Sequence, residues 1–190
     1  MKNMKKWECK SSELILDTRF LKIRKDIVEL PTKEVKEWVY WDSKDSAMVI
    51  GKTKDKKLVM IKQYRYLVGD EVVEFPSGGL HDNENIEDGA KREFEEETGF
   101  RCDSLVKLGS FYETYGQLNR QIHMFFANDV IKFKQNLDNG EMGFEDIVVE
   151  LVDIKKAINL AMKNKIKAMG SSLAILLLKE KIERGEIIFD

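Results

Sequence analysis

The sequence predicts an α/β fold, a mixed sheet between helical layers, with a small β extension over residues 1–45 ahead of the main domain, 46–190. Three observations predict it. Short β-rich runs come first, a central amphipathic helix follows them, and further strands and then more helix close the chain. That order suits a sheet that must be covered on both faces.

Residues 13–41 read as strands (ELILDT, FLKIRKDIVEL, EVKEWVYWD) with period-two alternation. SAMVI (46–50) and LVMIKQY (58–64) are apolar and separated by the turn-like GKTKDKK, so they read as a buried hairpin. EVVEFPSGG reads as a short strand ending in a Pro–Ser–Gly–Gly turn. A helix is expected over about 86–98, stopped by Gly99. LVKLGSFYET, RQIHMFFANDV and IVVELVD read as later strands, with YGQLN and the acidic GEMGFED as loops. Helical patterns over about 153–164 and 172–184 end the chain, with Ser171 or Ser172 as N-cap of the second.

Composition excludes several classes. The hydrophobic fraction of 43% and charged fraction of 35% suit a globular protein with a full core. A net charge of −2 with no basic patch argues against nucleic acid as partner. The longest apolar run, LAILLL (173–178), is far short of a membrane span, and the basic start leads into no apolar segment of a signal peptide. Cys9 and Cys102 are too few for a disulfide framework, so the expected setting is reducing and cytoplasmic.

The central helix poses the main question. At about 100° per residue, Ile86, Ala90 and Phe94 form an apolar stripe. Glu93 and Glu97 fall inside or beside that stripe, Glu96 on its flank, and Glu95 toward water. A Glu-rich helix is often simply a solvated one, and that reading accounts for Glu87, Asp88 and Glu95. It does not account for Glu93 and Glu97, because unpaired, partly buried carboxylates are costly and adjacent ones repel. A hard divalent cation relieves both problems, and residues one turn apart can share it.

The spacing carries more. From Gly78 the chain runs five residues to Glu84, seven more, then Arg92-Glu93-Phe94-x-Glu96-Glu97-x-Gly99-Phe100. This stretch of 23 residues resembles the signature of the Nudix hydrolases at every fixed position. The surrounding strand-turn-helix order resembles the Nudix α/β/α sandwich. The resemblance implies hydrolysis of a nucleoside diphosphate linked to another moiety, with Mg²⁺ or Mn²⁺ (roughly two or three ions). It implies Glu93, Glu96 and Glu97 as metal ligands, with Arg92 orienting a glutamate. Gly78 and Gly79 would allow a tight turn that brings backbone to metal, and Glu84 would brace the loop.

KQYRYLVGDEVVEFPSGGL and GFEDIVVELVDIKKAI resemble the ADP-ribose pyrophosphatase group. That likeness implies the carbonyl of Ser77 as a further ligand, Arg65 and Glu74 on the substrate side, and Glu145 as the base that activates water. Glu141 and Glu150 are alternatives for the base, and Glu145 is otherwise an exposed loop acid. In the same group N-terminal strands swap across a homodimer and help sandwich the base, which makes Trp38, Tyr40 and Trp41 candidates for base or dimer contacts. The chain departs at ETYGQLNRQIH, where Tyr115 stands in place of the group's proline. That departure leaves GDP- and UDP-sugars open beside ADP-ribose. Tyr115 is a candidate for base stacking, and Asn119 and Arg120 for sugar or phosphate contact. Two rivals stay open: a dinucleoside polyphosphate or NTP pyrophosphohydrolase, and a non-catalytic ligand sensor, against which the intact motif carboxylates speak.

Overall fold

The computed structural model describes residues 5–136 and 146–189. The chain divides into two compact units, 1–44 with 112–121, and 45–111 with 122–190.

The first unit is an antiparallel three-stranded sheet of β1 (Glu8–Asp17), β2 (Lys22–Glu29) and β3 (Val35–Trp41), in that order. The loop of residues 112–121 joins it through side chains and backbone. Trp41 donates its amide to the Gln117 carbonyl (2.8 Å). Asn119 donates to Asp42 Oδ1 (2.7 Å) and accepts the Ser43 amide (2.9 Å).

The second unit is built on one mixed sheet of β4 (Ser46–Thr53), β5 (Lys57–Arg65), β6 (Asp70–Glu74), β7 (Ser77–Gly79), β8 (Phe100–Arg101), β9 (Val106–Tyr112), β10 (Gln121–Lys132) and β11 (Ile147–Asp153). Its main path is β11-β5-β4-β10-β8, with β6 on β5, β7 on β4 and β9 on β10. β4 runs parallel to β10, while β5 runs antiparallel to β4, β6 and β11.

The expected hairpin of β4 and β5 forms but splays. The strands pair only at Gly51↔Val59 and Lys52↔Leu58. The other half of β4 pairs instead with β7, at Ser46↔Gly79, Ala47↔Gly78 and Met48↔Ser77. The expected Pro–Ser–Gly–Gly turn is therefore a short strand, because β4 is buried throughout and its backbone groups need partners.

Strand alternation splits the core into two layers. Ala47 and Val49 of β4 face Ala90 and Phe94 of helix α1 (Ile86–Thr98). Met48 and Ile50 face the other way, toward Ala157 of α2 (Ile154–Met162) and Ala174, Ile175 and Leu178 of α3 (Met169–Glu183). Helices thus cover both faces, as the sequence predicts. The one charged side chain of β4, Lys52, is buried and pairs with Asp129 Oδ1 (3.1 Å) at the β10 irregularity.

Helix ends follow local chemistry. Asn85 caps α1 by accepting the Glu87 and Asp88 amides, and Gly99 closes it in the left-handed region at φ 67°. A side chain at Gly99 would also put Cβ 2.5 Å from the Gln135 nitrogen. α2 is capped by Asp153. α3 begins earlier than expected, after Ala168, and neither serine caps it. Ser172 donates its hydroxyl to the Ile166 carbonyl (2.7 Å), and Ser171 lies within the first turn of the helix. Among the described residues no helix is long and apolar enough to cross a membrane.

Candidate active site

Glu93, Glu96 and Glu97 project from the C-terminal half of α1, and β7 runs beside that turn. Glu97 is 8% exposed, and its Oε2 accepts the Ser77 amide at 3.0 Å. Glu93 lies against Gly78, where an added Cβ would stand 2.1 Å from Oε2. The motif glycine is therefore required by close approach rather than by a turn: neither Gly78 nor Gly79 has a positive φ. Gly79 contributes its carbonyl, which accepts from Arg92 Nη2 at 3.2 Å.

Arg92 organises the carboxylates. Its Nε and Nη2 grip Glu84 as a fork (2.8 and 3.0 Å). Its Nη1 bridges Glu93 (2.6 Å) and Glu96 (3.2 Å). Glu84 also accepts the His81 amide at 2.8 Å, so it ties the loop ahead of α1 to the helix. The Arg92 guanidinium holds the Glu84 carboxyl down to about 2, against desolvation, with help from the His81 amide. Glu95, expected to face water, is half-buried and pairs with Arg101 (2.7 Å).

A depressed carboxyl pKa is a stability statement. The ordinary Glu value is 4.5 and the folded one about 2. The ionised form favours the fold, so its contribution is complete above the unfolded value and fades as pH falls through the folded one. Glu84→Gln, measured without metal, should lower stability at pH 7 by about 1–3 kcal/mol. The gap from wild type should shrink below pH 4.5 and close near pH 2. A gap independent of pH in denaturant titrations would refute this.

The donor chemistry fits a hard cation, since Glu93, Glu96 and Glu97 offer carboxylate oxygens and Ser77 a backbone carbonyl. Among the described residues no three His, Cys, Asp or Glu side chains already converge as a chelating cluster.

The substrate-side candidates are taken unit by unit: Arg65 and Glu74 belong to the second, and Trp38, Tyr40, Trp41, Tyr115, Asn119 and Arg120 to the first. Arg65 and Glu74 pair with one another: Arg65 Nε and Nη2 both donate to Glu74 Oε1 (2.8 and 2.6 Å), and Gln63 adds a third donor (3.2 Å). Trp38 packs edge-on against Trp7 with ring centroids 5.6 Å apart. Tyr40 is half-buried on the same strand, and Trp41 carries the Arg120 guanidinium over its ring at 5.5 Å. Arg120 is held by Glu113 (2.8 Å) and Asn119 by Asp42, so both serve their own unit in this arrangement. Tyr115 is 84% exposed. Glu145 and Glu141 lie outside the described residues, while Glu150 sits half-buried on β11.

Several braces had no local sequence signal. Ser171 Oγ accepts the buried Phe75 amide (2.9 Å). Gln135 donates to the Glu97 carbonyl (2.7 Å) at the end of α1. His123 is buried between Ser110 Oγ (2.7 Å, at Nδ1) and Asp45 Oδ2 (3.0 Å, at Nε2), and the Asp45 carbonyl holds the Leu80 amide (2.9 Å) just past β7. Each links residues far apart in sequence.

Comparison with known proteins bears on the family and the fold. Residues 42–169 match the model of the NUDIX domain. The chain is 30% identical over 177 residues to the ADP-ribose pyrophosphatase of Bacillus subtilis (strain 168), covering 91% of this chain and 94% of the relative. It is 32% identical over 126 residues to the GDP-mannose pyrophosphatase of Yersinia enterocolitica, covering 63% and 64%. A crystal structure of an ADP compounds hydrolase superposes with a TM-score of 0.82, over 98% of this chain and all (100%) of that one, at 16% identity, which speaks for the fold. This chain belongs to the Nudix family, is similar within it to the ADP-ribose pyrophosphatase group, and is a pyrophosphohydrolase.

Proposed function

We propose that the substrate is a nucleoside diphosphate sugar, ADP-ribose or a close relative, hydrolysed at its pyrophosphate to a nucleoside monophosphate and a sugar phosphate. The observation that carries this reading is the buried Glu97 on the Ser77 amide beside Glu93 on Gly78, with Arg92 gripping the carboxylates from the other side. Charged oxygens held at a backbone strand in this way suit a divalent ion and phosphates rather than an apolar ligand.

Glu93, Glu96, Glu97 and the Ser77 carbonyl would hold Mg²⁺ or Mn²⁺. When bound, the ion supplies Lewis-acid charge for the pyrophosphate and acidifies water. Arg92 keeps Glu93 and Glu96 oriented, and Glu84 keeps Arg92 in place. Arg65, steadied by Glu74 through Nε and Nη2, presents its remaining edge to a phosphate oxygen. Glu145 takes the proton from the attacking water, whose oxygen forms the new bond to phosphorus as the bridging P–O bond breaks. The leaving phosphate carries away the bridging oxygen. Glu145→Gln should lower kcat by about 10²–10⁴-fold. A loss below about tenfold in steady-state kinetics would move the base to Glu141 or Glu150.

Residues 1–45 serve base binding and a homodimer contact in this reading. Support comes from the sheet's exposed Leu14, Leu16, Trp38, Val39 and Trp41. The setting in this reading is reducing and cytoplasmic, and Cys102, pushed up to about 11 by burial, is an unreactive thiol. The test is a Mg²⁺ panel of ADP-ribose, GDP-mannose, UDP-glucose, NADH and diadenosine polyphosphates, with products separated by anion exchange. A monophosphate and a sugar phosphate from the first three support the proposal. Turnover of the polyphosphates alone replaces it with the polyphosphate reading, and no turnover at all returns the ligand sensor.

A further inference from the structure

We propose that Ser171, on the C-terminal helix, is a positioning residue for the carboxylate site: its hydroxyl sets the lead-in segment Phe75–Ser77 against Glu97. The inference rests on the reading above that Glu97 belongs to the metal-holding set. Ser171 lies beyond the segment that matches the family model, 42–169.

The argument starts from the amides. Phe75 is fully buried, and Pro76 has no N–H. The lead-in therefore has just the amides of Phe75 and Ser77 to satisfy. Both go to side chains on helices from opposite layers. Phe75 donates to Ser171 Oγ on α3 (2.9 Å), and Ser77 donates to Glu97 Oε2 on α1 (3.0 Å). Of the two carbonyls between them, that of Pro76 accepts from Val49 of β4 (3.3 Å).

Ser171 is itself fully buried, beside a glycine that packs on apolar groups. An added Cβ on the neighbouring Gly170 would meet Met48 Cε at 3.3 Å and Met124 Cε at 3.6 Å. A hydroxyl there has a polar task, and its acceptor position on Phe75 is that task. Without it the buried Phe75 amide must find another acceptor, because an unpaired one is costly. The peptide plane would have to rotate, and the rotation passes through rigid Pro76 to the Ser77 amide. Glu97 then loses the donor that fixes its carboxylate. Groups hydrogen-bonded directly to a ligand, as the Ser77 amide is to Glu97, typically matter about 10–100-fold in metal affinity.

The test uses the full chain. Ser171→Ala is expected to weaken Mn²⁺ binding, read by EPR, by about tenfold and to lower kcat at saturating metal by about tenfold, with KM within twofold. Amide exchange at Ser77 should accelerate. Leu178→Ala, on the same helix but in the apolar layer, should lose at least as much thermal stability and keep its Mn²⁺ affinity. The proposal is overturned if Ser171→Ala loses stability alone, or if Leu178→Ala weakens Mn²⁺ equally. Should Ser171→Ala not fold, Ser171→Cys, whose sulfur is a weak acceptor, takes its place with the same readouts. Should the wild type bind no Mn²⁺, the metal reading itself fails, and Ser77 exchange decides the case: unchanged protection overturns the role of Ser171, faster exchange supports it.

Discussion

Glu97→Gln is expected to lower kcat by about 10³-fold while leaving the fold intact. The amide oxygen of Gln can still accept the Ser77 N–H, so the contact at 3.0 Å survives. What disappears is a negative charge at a buried position of α1, 8% exposed. In a low-dielectric site that charge has a large effect on a bound cation. Folding should be indifferent or slightly improved, since a desolvated carboxylate is removed. Far-UV circular dichroism and a melting curve check the fold, and steady-state kinetics with Mg²⁺ check the chemistry. Wild-type turnover in this variant would remove Glu97 from the metal set and with it the proposed mechanism.

Gly78→Ala should lower kcat by about 10²-fold, the usual result of misplacing a reacting group by about an ångström. The added methyl would stand 2.1 Å from Glu93 Oε2 and 2.2 Å from its Cδ, so one of them must move. Backbone at Gly78 is held in the β4–β7 ladder, whereas the end of the Glu93 side chain can give way by leaving Arg92. Glu93 therefore moves, leaving both β7 and its 2.6 Å contact with Arg92. Because Glu93 also leaves its largely buried pair with Arg92, stability should fall as well, by about 1–3 kcal/mol. Gly79→Ala supplies the contrast, as its Cβ would meet nothing within 4 Å. Kinetics of the two variants side by side decide the matter: equal losses would mean that backbone freedom, not the approach of Glu93, is what the glycines provide.

These two variants also mark what is readable in a sequence. The bounds of α1 follow from local rules, since Asn85 and Gly99 act within a turn of the groups they satisfy. The inward placement of Glu97 follows from helical periodicity and is found as expected. The close approach at Gly78 does not follow from either. It depends on β7 pairing with β4, about 30 residues upstream, after β4 has parted from β5. Asn119 and Arg120 show the same limit from the other direction. Their types suit sugar or phosphate, yet Asp42, Glu113 and Trp41 engage them. Ser171 and Ser172 have the right chemistry for a helix cap, and tertiary packing gives their hydroxyls to the Phe75 amide and the Ile166 carbonyl instead.

The sequence by itself determined the α/β class, the order of elements, the motif and which carboxylates turn toward the core, because each rests on periodicity or on contacts within one helical turn. Only the tertiary structure decided how those carboxylates are held. The Ser77 amide on Glu97 spans 20 residues and Ser171 on Phe75 spans 96. A hydrogen bond across such distances exists only after the sheet has assembled, and no local pattern encodes it.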